Sequence, residues 1–161
     1  MKKINEEISK EVEKMGIRTY KAQTKWIEGS KIETEIRGFK VRIDEPIEFK
    51  GTNTAPNPVE LLLAALGGCL VLAYRGYAPK FGVEIENIGV DLEGDMIPGG
   101  WIDEEGRDRR GFKEIRYKVK IDTKSPEEKV RELYQLAKGK CPVSDMLLNP
   151  TPVKGEVSIE D

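Results

Sequence analysis

Residues 56–76 read PNPVELLLAALGGCLVLAYRG, and this stretch is the most apolar part of the chain. Asn57 is a good helix N-cap and Pro58 suits the first helical position, so a helix is predicted to begin at about residue 58. Apolar residues then lie on nearly every side of the helix until about Gly76. Such a helix belongs in the centre of a core or between subunits. Its apolar run from Leu61 to Tyr74 is shorter than the ~20 residues of a membrane span, so no membrane contact is expected.

Shorter elements of both types precede and follow this helix. An apolar stripe at helical spacing over residues 3–15 predicts an amphipathic N-terminal helix. Residues 18–47 contain short runs of β-branched and aromatic residues separated by turn glycines, which predict three antiparallel strands. Two longer strands are expected over residues 81–92 and 112–121, joined by an exposed loop or long hairpin connection over residues 94–111.

The last third of the chain returns to helical patterns. Ser125-Pro126-Glu127-Glu128 has the form of a capping box and predicts a helix, and a second short helix is expected directly after Cys141. Residues 153–159 are predicted to close the chain as a strand. The mixture of elements and the length predict a single α+β domain over residues 1–161, with residues 1–16 as an N-terminal helical extension.

The composition excludes several classes of function. With 27 basic and 29 acidic residues the net charge is -2, so no nucleic-acid partner is expected. The charged N-terminus lacks the apolar segment of a secretory signal, which predicts a cytoplasmic protein. The absence of His, with only two Cys, argues against a zinc site, and no metal is expected. Five Asn and two Gln beside many Lys, Glu and Arg are typical of a thermophile.

The two cysteines are the candidates for chemistry. Cys69 lies inside the apolar helix, where it is either a small buried apolar residue or a thiol that a nearby cation or helix N-terminus activates. Cys141 directly precedes Pro142, and if it caps the next helix, free backbone N–H groups favour its thiolate. The sequence pattern alone does not show that the two residues are neighbours, and two separate cysteines are the simpler interpretation.

Both cysteines stand in segments that resemble known motifs. The segment from Pro56 to Cys69 resembles the first cysteine motif of the OsmC/Ohr family, and Cys141-Pro142-Val143-Ser144 resembles the second. The order of predicted elements is also similar to that family over residues 19–160. The resemblance implies an OsmC-like fold, in which antiparallel sheets wrap around a central cysteine-bearing helix. It further implies an intertwined homodimer with its sites at the subunit interface.

The resemblance also implies a reaction. In the family's peroxidases the first cysteine, here Cys69, attacks the O–O bond of an organic hydroperoxide and becomes a sulfenic acid. Cys141 then resolves this acid as a redox-active disulfide, which an external dithiol reduces. No bound cofactor is implied. The expected activity is thus a thiol-dependent peroxidase that acts on a small apolar hydroperoxide during oxidative stress.

One part of the family pattern is missing. The family's hydroperoxide reductases use an Arg held by a Glu, but the positions that align with this Arg are Glu28 and Phe49. Val59 stands at the usual Glu position, and Glu60 follows it, about 100° around the helix. This resembles an OsmC-like branch without the usual catalytic Arg. Arg37 is the first substitute, because it ends a strand before Gly38 and can turn toward a partner subunit. The other candidates are Arg42, Lys50 and Arg75.

Two alternatives to the peroxidase stay open. The first is a non-catalytic binding protein that holds an apolar ligand at the dimer interface, with Cys69 and Cys141 as structural groups. The second is a stabilising disulfide between these cysteines, which contributes ~4 kcal/mol for a loop of this length in the chain-entropy model. The lability of the bond toward a mild dithiol distinguishes a structural pair from a catalytic one. The sequence does not identify the physiological substrate or the reductant.

Overall fold

The computed structural model describes residues 16–149 and 151–160. The chain divides into two compact units, called the first and the second unit: Met1–Ala65 with Leu92–Arg116, and Leu66–Asp91 with Tyr117–Asp161. The helix expected over residues 3–15 lies outside the described residues. The single domain over residues 1–161 stays a prediction.

The described residues contain both helices and antiparallel strands. The strands are β1 (Gln23–Glu28), β2 (Lys31–Ile36), β3 (Phe39–Ile43), β4 (Asn87–Asp95), β5 (Trp101–Ile102), β6 (Asp108–Arg109) and β7 (Glu114–Asp122). The helices are α1 (Pro58–Tyr77), α2 (Glu127–Ala137) and α3 (Pro142–Leu148), and short 3-10 turns cover Ile47–Phe49 and Ala78–Phe81. This mixture confirms the predicted α+β class.

Strands β1, β2 and β3 form an antiparallel meander in the first unit. Thr24 pairs with Thr34 in the register, and their hydroxyl groups share a hydrogen bond of 2.9 Å. The turns at Gly29 and Gly38 have φ values of 51° and 85°, which favour glycine. The three strands predicted within residues 18–47 are therefore confirmed. Strand β1 is an edge strand, and all of its residues are exposed.

A buried carboxylate fixes the loop that leads from β3 to α1. Asp44 directly follows β3 and is fully buried. Its oxygens accept hydrogen bonds from the hydroxyl groups of Ser30 at 2.5 Å, Thr52 at 2.6 Å and Thr54 at 2.8 Å. The backbone N–H groups of Glu45 and Thr54 also donate to it, at 2.8 and 2.9 Å. These bonds hold the pKa of the Asp44 carboxyl far below its usual range, and the bond from Ser30 has the largest effect.

Helix α1 begins where the sequence predicts. The Asn57 side-chain oxygen accepts a hydrogen bond from the Glu60 N–H at 2.9 Å, and the Glu60 carboxylate accepts one from the Asn57 N–H at 2.8 Å. These reciprocal bonds form a capping box, with Asn in the N-cap position. Pro58 is the first helical residue, where its missing N–H costs nothing. The helix ends at Tyr77, one residue beyond the predicted Gly76.

Only part of α1 is buried within its own chain. Its buried residues are Leu66, Gly67, Leu70 and Tyr74. By contrast, the side chain of Leu72 is 72% exposed. The helix therefore does not lie in the centre of a core of its own chain. Its apolar sequence also predicted a position between subunits, and that prediction stays open.

The length of the helical stretch corrects the sequence-based argument about membranes. By its length and composition alone, the helical stretch Pro58–Phe81 is long and apolar enough to cross a membrane. The described residues contain one stretch of this kind. The helix extends beyond the apolar run from Leu61 to Tyr74, so the length of that run alone does not exclude a membrane span. Core helices of water-soluble proteins have the same length and composition, so this finding is weak support for a membrane span.

Strands β4 and β7 pair with each other. In the second unit the Glu86 N–H donates to the Asp122 carbonyl at 2.9 Å. Strand β4 begins at Asn87, later than the predicted residue 81, because Ala78–Phe81 forms a 3-10 turn. Along β7 half-buried and exposed residues alternate as predicted. In the first unit, β5 and β6 form a short ladder within residues 94–111, so the predicted hairpin connection is confirmed.

The helix predicted after Ser125 is present as α2, but its N-terminus differs from the prediction. Pro126 is the N-cap and forms no side-chain cap hydrogen bond. The Ser125 hydroxyl instead accepts a hydrogen bond from the Glu84 N–H at 2.9 Å. The predicted capping box is therefore wrong, because a distant segment of the chain uses this hydroxyl. Leu133 and Leu136 are on the buried side of α2.

The C-terminal segment is extended and solvent-exposed. Residues 151–160 form no strand in the structure, and none of the described strands pairs with them. Val153 is 93% exposed and Val157 is 89% exposed. The strand predicted over residues 153–159 is therefore wrong for the single chain, since a strand needs a hydrogen-bonding neighbour.

The Asp44 cluster leads to a prediction about stability and pH. Because the pKa of Asp44 is lowered by folding, its contribution to stability is present above the unfolded pKa of about 4 and is lost as the pH falls below it. Replacing Asp44→Asn should therefore lower the Tm at pH 7 and weaken the fall of Tm between about pH 5 and pH 2. Thermal denaturation followed by circular dichroism measures both effects. The exposed Asp122→Asn is the control, and an unchanged Tm at pH 7 in Asp44→Asn contradicts the prediction.

Candidate functional site

Cys141 lies in the second unit, between α2 and α3. It is the N-cap of α3, and its Sγ accepts a hydrogen bond from the Ser144 N–H at 3.4 Å. Pro142 follows at the first helical position. The prediction that Cys141 caps a short helix is confirmed. Its side chain is only 1% exposed, so solvent hardly reaches the sulfur.

Cys69 lies on α1 in the same unit and is half-buried. Leu66 and Leu70, its neighbours along the helix, are buried. Its side chain is close enough to Cys141 to raise the pKa of the Cys141 thiol, and both cysteines are free thiols. The structure therefore brings together two thiols that are remote in the sequence.

Two opposing effects act on the Cys141 thiol. Burial raises the pKa of Cys141 most strongly, and the nearby Cys69 thiol raises this pKa further. The backbone N–H groups of Ser144 and Val143 lower it. The net shift of the pKa is upward, because desolvation of the thiolate outweighs the helix N-terminus. The expected preference for the thiolate is thus corrected: Cys141 is a protonated thiol at neutral pH.

Three tyrosines lie close to Cys141 or to one another in the second unit. The rings of Tyr74 on α1 and Tyr134 on α2 have centroids 6.4 Å apart. Burial raises the pKa of Tyr117 on β7, and the neighbouring Tyr134 and Cys141 raise it further. Sequence reasoning missed this tyrosine cluster. Tyr117 lies in the alternating pattern of β7, and Tyr134 lies in the apolar stripe of α2. These patterns indicate which residues face the protein interior, but they do not show which of them contact each other.

Arg37 and Glu60, the other predicted site residues, lie in the first unit. Arg37 directly follows β2 with a φ of 53°, and its guanidinium carbon is 5.7 Å from the centroid of the Phe39 ring. Glu60 accepts the hydrogen bond from Asn57 at the start of α1. Within the part of the chain that the structure describes, Arg37 and Glu60 do not form an ion pair with each other. Glu60 therefore has a local structural role, and the catalytic roles of both residues stay predictions.

The arrangement of the thiols limits the chemistry of the site. Two adjacent thiols can be oxidised to a disulfide and reduced again without a bound cofactor. Across residues 16–149 and 151–160, no group of three or more His, Cys, Asp or Glu side chains is placed to hold a metal ion.

Comparisons with known proteins relate this chain to one family. The family model for OsmC-like proteins matches residues 51–156. No curated protein sequence matches the chain at a significant level.

Several solved structures share the fold. The OsmC-like protein from Mycoplasma pneumoniae is 19% identical, the match covers 84% of this chain and 91% of that chain, and the TM-score is 0.72. An organic hydroperoxide resistance protein OsmC from Legionella pneumophila is 20% identical, with 82% and 90% covered and a TM-score of 0.58. An OsmC-like hydroperoxide resistance protein from Jannaschia sp. CCS1 is 20% identical, with 89% and 97% covered and a TM-score of 0.53.

These identities are low, so the structural matches establish the fold alone. They confirm the predicted OsmC-like fold. The family model covers more than half of the chain and includes both Cys69 and Cys141. The chain therefore belongs to the OsmC/Ohr family of OsmC-like proteins.

Proposed function

We propose that this protein is a thiol-dependent peroxidase that reduces organic hydroperoxides. The observation that carries the proposal is the proximity of two free thiols, Cys69 and Cys141, which are 72 positions apart in the sequence. The names of two structural neighbours, which are hydroperoxide resistance proteins, add support. The external reductant is a dithiol, which suits a cytoplasmic protein in a reducing compartment.

The proposed reaction has three balanced steps. The Cys69 thiolate attacks the terminal oxygen of ROOH, the O–O bond breaks, and the alkoxide takes up a proton and leaves as ROH. Cys69 is thereby oxidised to a sulfenic acid. The Cys141 sulfur then attacks the Cys69 sulfur, an S–S bond forms, and the hydroxyl group leaves as water. An external dithiol reduces this disulfide and is itself oxidised.

The two cysteines differ in exposure, and the difference supports the proposed roles. Cys69 is half-buried, whereas Cys141 is 1% exposed. A hydroperoxide from solvent therefore reaches Cys69 first. The raised pKa of Cys141 keeps its proton in place until the neighbouring sulfur has become an electrophile. These features favour Cys69 as the peroxidatic thiol and Cys141 as the resolving thiol.

An activating cation completes the proposal, and we assign it to Arg37 of a second copy. The active form is then a homodimer, in which Arg37 stabilises the Cys69 thiolate and Glu60 orients the guanidinium. Exposed apolar side chains support an interface between copies. Leu72 on α1 is 72% exposed and Trp26 on the edge strand β1 is 70% exposed. Burying such groups against a second chain stabilises the dimer.

A non-catalytic binding protein is the second candidate function. The observation that favours it is the exposed apolar side chain of Leu72, on the same helix as Cys69, which suits an apolar ligand as well as a partner chain. In this case the cysteines are structural, and the protein turns over no peroxide even when both thiols are reduced.

The first prediction concerns turnover. Reduced protein mixed with cumene hydroperoxide and excess dithiothreitol should consume the peroxide. Cys69→Ser should lower the rate roughly a thousandfold or more, because the nucleophile is lost. Cys141→Ser should instead accumulate a sulfenic acid at Cys69, which mass spectrometry detects after trapping with dimedone. Wild-type protein that reacts no faster than Cys69→Ser contradicts the peroxidase and favours the binding protein.

The second prediction concerns the cation. Arg37→Gln should lower kcat/KM for cumene hydroperoxide by roughly 10²-fold, since it removes a charged donor from the site. Arg109→Gln, an exposed arginine on β6, is the matched control and should leave kcat/KM unchanged. A mixture of Arg37→Gln and Cys69→Ser chains should regain activity in mixed dimers, because one of the two sites is then intact. Equal rates for Arg37→Gln and wild type exclude Arg37 from this role.

The third prediction concerns pH. Because the pKa of Cys141 is raised, its reactive thiolate appears only above the ordinary thiol pKa of about 8.5. In Cys69→Ser, alkylation of Cys141 by iodoacetamide should be slow at pH 7 and should rise through and beyond pH ~9. Peptide mass spectrometry at a series of pH values gives the rate. The urea-unfolded variant serves as the reference, and the same titration midpoint in both states contradicts the upward shift.

A further inference from the structure

A cleft in the second unit is lined in part by a tyrosine whose buried hydroxyl group has no hydrogen-bond partner among the described residues. The cleft has a volume of ≈ 480 Å³ and lies beside β7 and α2. This volume falls within the range of small-molecule sites. Val119, Ile121 and Val130 provide its apolar walls, and neither cysteine is part of its lining.

The unpartnered hydroxyl belongs to Tyr74, which also lines the cleft. Tyr74 is fully buried, and within residues 16–149 and 151–160 its hydroxyl finds no protein hydrogen-bond partner. Buried polar groups are nearly always hydrogen-bonded, so this group needs an acceptor that the described part of the single chain does not supply. Burial raises the pKa of Tyr74, which keeps the hydroxyl protonated and therefore a donor at physiological pH.

The other polar residues of the cleft favour a neutral ligand. The Arg131 guanidinium donates a hydrogen bond of 2.9 Å to the carboxylate of Glu127, four residues earlier on α2, which neutralises its charge. Gln135 carries no charge. An anionic ligand therefore gains little at this site, whereas a neutral oxygen atom satisfies Tyr74 without a counter-ion.

The aromatic side chains indicate the shape of the ligand. Tyr134 lines the same cleft and is 39% exposed. Its ring centroid is 6.4 Å from that of Tyr74, and the two rings are inclined by 36°. A flat apolar molecule that enters the cleft can pack against the exposed part of the Tyr134 ring.

We propose that this cleft binds a small, neutral, largely apolar molecule with one hydrogen-bond-accepting oxygen, such as an aromatic ketone, whose oxygen accepts a hydrogen bond from Tyr74. Neither cysteine lines this cleft, and the proposal does not depend on the proposed peroxidase.

Acetophenone and α-methylstyrene form a matched pair of probes, because they have nearly the same shape and differ by a carbonyl oxygen in place of a methylene group. Titration of the full-length protein is followed by NMR of the labelled methyl groups of Val119, Ile121 and Val130. Acetophenone should bind about tenfold more tightly than α-methylstyrene, the difference expected for one hydrogen bond to a buried donor.

Two variants locate the source of this preference. Tyr74→Phe keeps the ring and removes the unpartnered hydroxyl, so the fold is retained and the preference should fall to about onefold. Tyr77→Phe, on the same helix but outside the cleft, should keep the tenfold preference. The double variant Cys69→Ser/Cys141→Ser should also keep it, which separates this test from that of the peroxidase.

Three results overturn the proposal. They are the absence of shifts in the three cleft residues, equal affinities of the two probes for the wild type, and a preference for acetophenone that survives in Tyr74→Phe. Equal affinities indicate that water serves as the acceptor for Tyr74 in the free and the bound protein.

Discussion

Helix α1 has more apolar surface than its own chain covers, and this constraint shapes the rest of the molecule. Leu66, Leu70 and Tyr74 are buried within the chain, but Leu72 faces solvent. Apolar surface gains free energy only when another surface removes it from water. The same helix carries Cys69 and Tyr74, so the helix whose apolar surface is left partly uncovered also carries residues of both proposed sites. Its capping box at Asn57 and Glu60 fixes the residue at which the helix begins, and this start determines which side of the helix each later residue occupies.

The thiol pair illustrates a competition between two effects of similar origin. The N-terminus of α3 attracts negative charge toward Cys141, while burial of the sulfur penalises that charge. Burial is the larger effect here, and it makes Cys141 a proton-bearing partner for Cys69. Two identical side chains thus have different surroundings, as the proposed roles require. A difference of this kind is what a sequential attack and resolution need, because the two sulfurs must not react with a peroxide at the same time.

Local signals in the sequence predicted much of this fold. Asn57 and Pro58 predicted the start of α1 correctly, and Pro142 indicated that Cys141 is a cap, because both signals act over a few residues. Contacts between distant segments were not predictable in this way. The Ser125 hydroxyl accepts a hydrogen bond from the Glu84 N–H, so the expected capping box does not form, and the hydrogen bonds around Asp44 leave no local pattern in the sequence. The contact of Cys69 with Cys141 was implied by the family resemblance, whereas the position of Tyr117 beside Cys141 was not foreseen.

The Asp44 cluster differs from the other charged contacts of the first unit in the kind of donor that it uses. Surface pairs such as Lys31 with Glu28 join two opposite charges in solvent, and dissolved salt screens them. Asp44 accepts hydrogen bonds from uncharged hydroxyl and backbone N–H groups of the described residues and lies out of solvent. Mobile ions therefore have little access to these bonds. The path from β3 into α1 keeps its geometry over a wide range of ionic strength, even where the surface charges of the meander no longer hold one another.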